Sequence, residues 1–252
     1  MRQLLIAISF FTRFPITLKD VDENEFYNSM ILMPIVGILI GLLLAVAAWI
    51  FSFIRIPALQ AVLMLITYLW ISGGLHLDGF GDTIDGIFSS RDHDRMMEIM
   101  KDSRLGSFGA IALILLFLTE WSAYTQVLPV SFLAVGVMPV VGRYCALQAC
   151  CFSTYAKGGG GLGKRVVEMT KPWHVLVYLV MTMALAFLTM QWAGVVAALV
   201  TVICGLLLTA YLRRRIGGMT GDTIGFTIEL SQAIYLVAIT IVLLRMPELA
   251  GL

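Results

Sequence analysis

A polytopic, all-α integral membrane protein is the fold class this sequence predicts, and three observations predict it. Of its 252 residues, 60% are hydrophobic and 13% charged, about half the roughly 25% charged share of a soluble globular domain. Seven long apolar runs, at about 30–54, 57–76, 107–128, 130–153, 173–190, 192–211 and 226–245, approach the ~17–25 residues needed to cross a bilayer core. The basic residues between those runs gather on one side of them. Lipid offers the backbone no hydrogen-bond partners, so each run is expected to be helical. The whole chain, 1–252, reads as a single membrane domain.

Taken in order, the first element is the N-terminal segment MRQLLIAISFFTRFPI. Its apolar part is too short to span, and no small-residue cleavage site follows it, so a retained interfacial or re-entrant helix is expected. The seven runs then follow, with joints at Ile56-Pro57, Pro129 and Gln191 forming hairpins on one side. On the other side stand Arg2, Arg13 and Lys19; Arg91, Arg95, Lys101 and Arg104; Lys157, Lys164, Arg165 and Lys171; and Arg213, Arg214 and Arg215. Only Arg55 and Arg245 fall opposite, with Arg143 inside a run. Cytoplasmic loops are enriched in Lys and Arg, so the N-terminus is expected on the cytoplasmic side and the C-terminus outside. The longer polar segments, about 76–109, 154–172 and 212–229, then share the cytoplasmic face, where chemistry is expected.

Composition also excludes. A formal net charge of +1 provides no basic field for nucleic acid. Cys145, Cys150, Cys151 and Cys204 lie in apolar stretches without a CxxC pair or a neighbouring His, which favours plain packing over a zinc site or a disulfide.

The second run leads into Gly73-Gly74-Leu75-His76-Leu77-Asp78-Gly79-Phe80-Gly81-Asp82-Thr83-Ile84-Asp85-Gly86. On a helix, Asp78, Asp82 and Asp85 fall within an arc of roughly 60° and span about 10 Å. Such carboxylates repel one another unless something positive lies between them, and hard oxygen ligands suit Mg²⁺ or Mn²⁺. The interleaved glycines weaken the helix but allow a second helix or a ligand close to the backbone. A second copy, Gly221-Asp222-Thr223-Ile224, repeats Gly81-Asp82-Thr83-Ile84 just after another run that reaches the same side. The two copies are expected to face each other and share a metal cluster, with Glu229 on the helical face of Asp222. An ionisable group inside a span is a functional candidate by default.

A basic complement accompanies the acids. Arg104 is expected to bind substrate phosphate, whereas Arg91 and Arg95 suit substrate or anionic lipid equally. His93 and His174 have no metal-spaced partner and read as surface or interface residues. Gly158 to Lys164 fits the spacing GxxxxGK of a phosphate-cradling loop. Arg165 replaces the Ser or Thr, however, and the segment follows a membrane helix instead of a strand. A glycine loop closing over a phosphorylated substrate with Lys157, Lys164 and Arg165 is the expectation there. Glu120 and Arg143, on adjacent runs, are expected either to pair or, for Arg143, to contact phosphate. Gly37 and Gly41, in GxxxG spacing, allow helix pairing within the chain or in a homo-oligomer.

His76-Leu77-Asp78-Gly79-Phe80-Gly81-Asp82-Thr83-Ile84-Asp85-Gly86 followed by DSRLGSFG at 102–109 resembles the cobalamin synthase family of adenosylcobinamide-GDP ribazoletransferases. FFTRFP at 10–15, PIVGILIG at 34–41, Gly142-Arg143, and GDTIG at 221–225 with Glu229 extend the resemblance over most of the chain. In place of the family's commoner Arg-Pro-Glu-Gly-Leu-Gly loop, this chain has Lys157 and four glycines. The resemblance implies an integral membrane enzyme that uses Mg²⁺ to join adenosylcobinamide-GDP to α-ribazole or its 5′-phosphate, releasing GMP. On that implication Asp78, Asp82 and Asp222 would hold the metal, with Asp85 and Glu229 in support. Asp82 or Asp85 would help deprotonate the attacking hydroxyl, and Arg104, Lys164 and Arg143 would meet phosphates. A CDP-alcohol phosphotransferase would carry an Ala-Arg pair where Gly81-Asp82 stands. A divalent-ion transporter would place its acids near the bilayer midplane, whereas these lie at span ends.

Overall fold

A computed structural model of the protein describes residues 1–102, 104–156 and 162–251. Eleven α-helices are described: α1 (Arg2–Phe11), α2 (Glu23–Met30), α3 (Met33–Ser52), α4 (Pro57–Ser72), α5 (Leu75–Phe88), α6 (His93–Ile99), α7 (Ser107–Val127), α8 (Ala134–Phe152), α9 (Leu162–Met169), α10 (Pro172–Ile216) and α11 (Gly221–Arg245). Local chemistry sets many of their starts. Asp22 and Asp92 accept from the backbone N–H of Glu25 at 2.8 Å and of Arg95 at 3.0 Å, capping α2 and α6. Proline stands in the first turn of α3, α4 and α10, where its missing N–H costs nothing.

Helices α3, α7, α8, α10 and α11 are long and apolar enough to cross a membrane, and the bent pair α4 and α5 brings the number to six. The protein is therefore a multi-pass membrane protein. α10 is not one straight pass. Its 45 residues would reach about 68 Å as a rod, more than twice a hydrocarbon core of ~30 Å. Met190 and Gln191 leave helical geometry, Gln191 at φ 48°, and a Cβ on Gly194 would run into the carbonyl of Ala186. Both ends of α10 reach the same layer: α9, just before it, packs Gly163 on Gly221, and Gly218, just after it, lies against Thr154 and Ala156. α10 is thus a helical hairpin, turning where Gln191 was expected to turn it.

α8 is the central post, buried along most of its length, and glycines set its contacts. Gly37 of α3 abuts the backbone of Pro139, Gly41 abuts Gly136, Gly142 meets Ile228 and Gln232 of α11, and Gly205 of α10 meets Cys145. Close backbone approach through small residues is the usual way membrane helices associate. The GxxxG pair of α3 is accordingly used within the chain. The other sides of the bundle keep large apolar side chains such as Leu42, Trp70, Ile114 and Leu188 exposed, as a lipid-facing surface requires.

Boundaries differ from expectation in two informative places. The second run ends at Ser72 instead of 76, because Gly73 and Gly74 both take left-handed φ of 68° and 71° and turn the chain by 98° into α5. Only glycine adopts two such residues in succession without strain. The last helix starts at Gly221 rather than at 226, so the second GDTI copy lies inside it. The glycine segment 158–161 and Lys157, expected to close over a phosphate, fall outside the described residues.

Candidate active site where two aspartate helices cross

After the Gly73-Gly74 turn, α5 leaves the axis of α4 and lies against the first turns of α11. Gly79 and Gly225 make this possible. A Cβ on Gly79 would come within 2.7 Å of the Asp222 Cα and carbonyl oxygen, and one on Gly225 within 3.0 Å of the His76 carbonyl oxygen. Position 79 meets 222 while 76 meets 225, so the helices run past each other in opposite directions. The Phe80 and Phe226 rings stack beside the crossing at 5.2 Å. The two GDTI-bearing segments therefore do face one another.

Asp78 is exposed, and Asp82 and Asp222 are half-buried. The carboxylates of Asp78, Asp222, Asp85 and Asp102 surround that of Asp82. A cleft of about 250 Å³ opens beside the crossing. Asp78, Asp222 and His76 form one side of it, Phe10, Phe11 and Met30 the other, and Gly163 and Val166 of α9 edge it. An apolar wall facing two carboxylates suits a ligand that is part apolar and part charged. Among the described residues, no three His, Cys, Asp or Glu side chains converge closely enough to enclose a metal ion by themselves.

Asp85, third on the predicted stripe, is differently employed. It is buried, its Oδ2 accepts from the Gly106 N–H at 2.8 Å, and its Oδ1 accepts from the Gly109 N–H at 2.9 Å. Both oxygens thus cap the start of α7, whose first N–H groups have no intrahelical partner. A side chain at Gly106 or Gly109 would collide with that carboxylate. This accounts for the glycines of the 102–109 segment, and it makes Asp85 a positioning residue in this arrangement instead of an open ligand.

Glu229 also has partners of its own. It lies two turns, about 10 Å, deeper than Asp222 along α11, where it accepts from the Tyr68 hydroxyl at 2.7 Å and from Gln232 Nε2 at 3.0 Å. Gln232 Nε2 also donates to the Tyr68 oxygen at 2.8 Å, so a closed polar triad ties α4 to α11. Sequence reasoning missed Tyr68 and Gln232; their signal was polarity within otherwise apolar runs.

The basic residues divide. Arg104 is exposed and grips Asp102 through Nε at 3.0 Å and Nη2 at 2.7 Å, which holds the Asp102 carboxyl down at about 2. Lys164 stands 4.0 Å from Glu168 on α9, next to Gly163 at the cleft edge. The Arg165 guanidinium lies 5.5 Å over the Tyr27 ring and links α9 to α2. Arg143 corrects the expectation on both counts. It is fully buried, its Nη1 bonds the Pro139 carbonyl at 3.2 Å, and no ion pair joins it to Glu120 among the described residues. It is not among the residues that line the cleft. His93 is an interface residue, with Nε2 placed 2.8 Å from the Ile216 carbonyl at the end of α10.

A multi-pass helical bundle with a carboxylate-lined cleft across one end fits the class of membrane-embedded enzymes. The description Cobalamin-5-phosphate synthase belongs to a family model that matches residues 3–240, and the chain belongs to that family. It is a transferase of late cobalamin synthesis. Relatives named adenosylcobinamide-GDP ribazoletransferase include one from Clostridium acetobutylicum, 34% identical over 96% of this chain and 97% of that protein. Another, from Fusobacterium nucleatum, is 36% identical over 94% of this chain and 96% of its own length. A third, from Prosthecochloris aestuarii, is 35% identical over 84% and 88%. No solved structure matches the chain.

Proposed function

We propose that the chain transfers the adenosylcobinamide-phosphate group of adenosylcobinamide-GDP to α-ribazole, or to α-ribazole 5′-phosphate, and releases GMP. The observation that carries this reading is the crossing of α5 and α11, which sets Asp78 and Asp222 on one cleft with an apolar wall, with the Asp82 carboxyl close enough to feel both. The reading extends to seven passes, with the two arms of α10 counted separately and α4 with α5 counted as one. It places the cleft on the cytoplasmic face of a prokaryotic inner membrane, since fourteen of the seventeen Lys and Arg flank that end of the runs.

Mg²⁺ is the proposed cofactor, with Mn²⁺ an equivalent. The donor set fits: Asp78, Asp82 and Asp222 offer hard oxygens, and Asp82 is surrounded by carboxylates whose repulsion a cation would relieve. Mg²⁺ commonly takes one or two carboxylates and completes its shell with water and substrate phosphate oxygens, so an open carboxylate group suits it better than a closed cage. When bound there, the ion would neutralise pyrophosphate charge as the bond to GMP breaks. The residues supply the rest. Asp82 accepts the proton of a ribose hydroxyl of the ribazole other than the 5′ position, which is free whether or not the 5′-phosphate is present; that oxygen attacks the phosphorus attached to cobinamide, and the phosphorus–oxygen bond to GMP breaks. Asp85 holds α7, and the Arg104 corner with it, against α5. Arg104 and Lys164 stand at the rim to meet phosphate oxygens, and Glu229 fixes α11 against α4.

The test is GMP release by purified, monodisperse protein. Asp82→Asn is expected to slow it a hundredfold or more, a loss of about 2.7 kcal/mol, and a chelator to abolish it until Mg²⁺ or Mn²⁺ is restored. Mg²⁺ should also raise the unfolding temperature of the parent protein but not that of Asp82→Asn. Normal GMP release by folded Asp82→Asn would refute the assignment.

A further inference from the structure

Away from the cleft, the seam between α8 and the second arm of α10 has a shape and chemistry that the transfer reaction does not use. The two helices run side by side in the same direction, with Gly205 on Cys145, and toward their common end a groove of about 410 Å³ opens between them. Phe152, Leu206, Thr209, Ala210, Arg213 and Arg214 line it. The α10 members are spaced i, i+3, i+4, i+7 and i+8, which is one face of a helix. From Leu206 to Arg214 that face climbs about 12 Å, close to the depth of one leaflet of a ~30 Å core.

The face changes character along its length. Its lower part is apolar and opens outward, with Phe152 50% and Leu206 40% exposed. Thr209 is no donor to a ligand, because its hydroxyl is bonded to the Gly205 carbonyl at 2.7 Å. Its upper end carries two exposed guanidiniums, and neither forms an ion pair among the described residues. Tyr211 stands exposed beside them, at the level where aromatic side chains mark the membrane interface.

We propose that this groove is a binding site for an anionic phospholipid of the surrounding bilayer, with the headgroup phosphate on Arg213 and Arg214 and one acyl chain along Phe152, Leu206 and Ala210. Paired guanidiniums match phosphate oxygens in both charge and planar geometry, and an apolar slot of leaflet depth matches a chain. A soluble phosphate would use only the upper end and leave the slot unfilled. The site does not depend on the assignment of the reaction.

Native mass spectrometry of the purified full chain, titrated with phosphatidylglycerol or phosphatidylcholine, tests this. The parent protein is expected to retain one phosphatidylglycerol in preference to phosphatidylcholine. The double variant Arg213→Gln/Arg214→Gln should bind phosphatidylglycerol roughly thirtyfold more weakly, from the loss of two interfacial charges. Leu206→Trp, which fills the slot and keeps both charges, should also lower retention, whereas Arg55→Gln, on the opposite side by charge distribution, should not. Unchanged phosphatidylglycerol affinity in the double variant, or in Leu206→Trp, overturns the site. So does displacement of the lipid by millimolar inorganic phosphate, which would make it a soluble-phosphate site.

Discussion

Gly81-Asp82-Thr83-Ile84 and Gly221-Asp222-Thr223-Ile224 are the same four residues in two settings. The first copy lies in the middle of α5. There Gly81 faces Leu105, which a Cβ would approach to 3.0 Å, and the Thr83 hydroxyl is buried without a partner among the described residues. The second copy begins α11. Nothing lies within 4 Å of where a Gly221 Cβ would stand, and Thr223 Oγ1 accepts from the Thr220 N–H at 2.7 Å while the Thr223 N–H donates to Thr220 Oγ1 at 3.1 Å. Asp82 therefore rests on packing, whereas Asp222 sits in a capped first turn, where the helix dipole favours a negative charge. What the copies share is the carboxylate brought to the crossing; the other three residues serve different local needs.

The strongest way to break that comparison is to part the two carboxylates without touching either. Gly79→Ala places a methyl group 2.7 Å from the Asp222 backbone, which has no side chain free to yield. It is expected to cost about 2–3 kcal/mol in detergent unfolding and to depress GMP release. Near-normal stability would mean that the crossing is looser than described. Next, Thr223→Val removes the reciprocal half of the α11 capping box, leaving the buried Thr220 N–H without its acceptor, and should cost about 1 kcal/mol. Thr83→Val, by removing an unpaired buried hydroxyl, should be neutral or slightly stabilising, and equal effects on paired unfolding curves would erase the distinction. Smallest is Gly221→Ala, expected to change stability by no more than about 0.5 kcal/mol, in the stabilising direction. A large loss would show that the open space beside Gly221 is occupied in the working enzyme.

Much of this was legible in the sequence for a simple reason: lipid demands long apolar runs, and helical spacing gathers Asp78, Asp82 and Asp85 on one stripe. The repeated tetrapeptide also pointed to the α5–α11 crossing, because glycine beside an acid permits backbone contact. What the stripe could not reveal is which neighbour meets each member. Asp85 looks identical to Asp82 in spacing, yet it meets the Gly106 and Gly109 amides, a partnership set by the return of the chain from α6. Arg143 and Glu120 lie on adjacent runs, but rotation of the helices about their axes decides pairing, and apolar composition does not encode that rotation. Glu229 was correctly marked as unusual within a span, while its partners Tyr68 and Gln232 are ordinary residues whose meaning appears only when α4 and α11 are side by side.

The double-glycine corner after α4 has a further consequence, for how the enzyme tolerates different bilayers. α4 has 16 residues, about 24 Å of helix, and a helix shorter than the local hydrocarbon thickness is accommodated by thinning of the bilayer or shifts at its ends. Because Tyr68 ties the last turns of α4 to Glu229 of α11, while α5 is fastened to α11 through Gly79 and Gly225 and to α7 through Asp85, a mismatch at α4 is expected to be met at its far end, near Pro57, instead of at the corner. The corner then acts as a brace: the carboxylate end of α4 is held with α5 and α11 as one unit, so that lipid thickness shifts the opposite end while the spacing of the carboxylates is preserved.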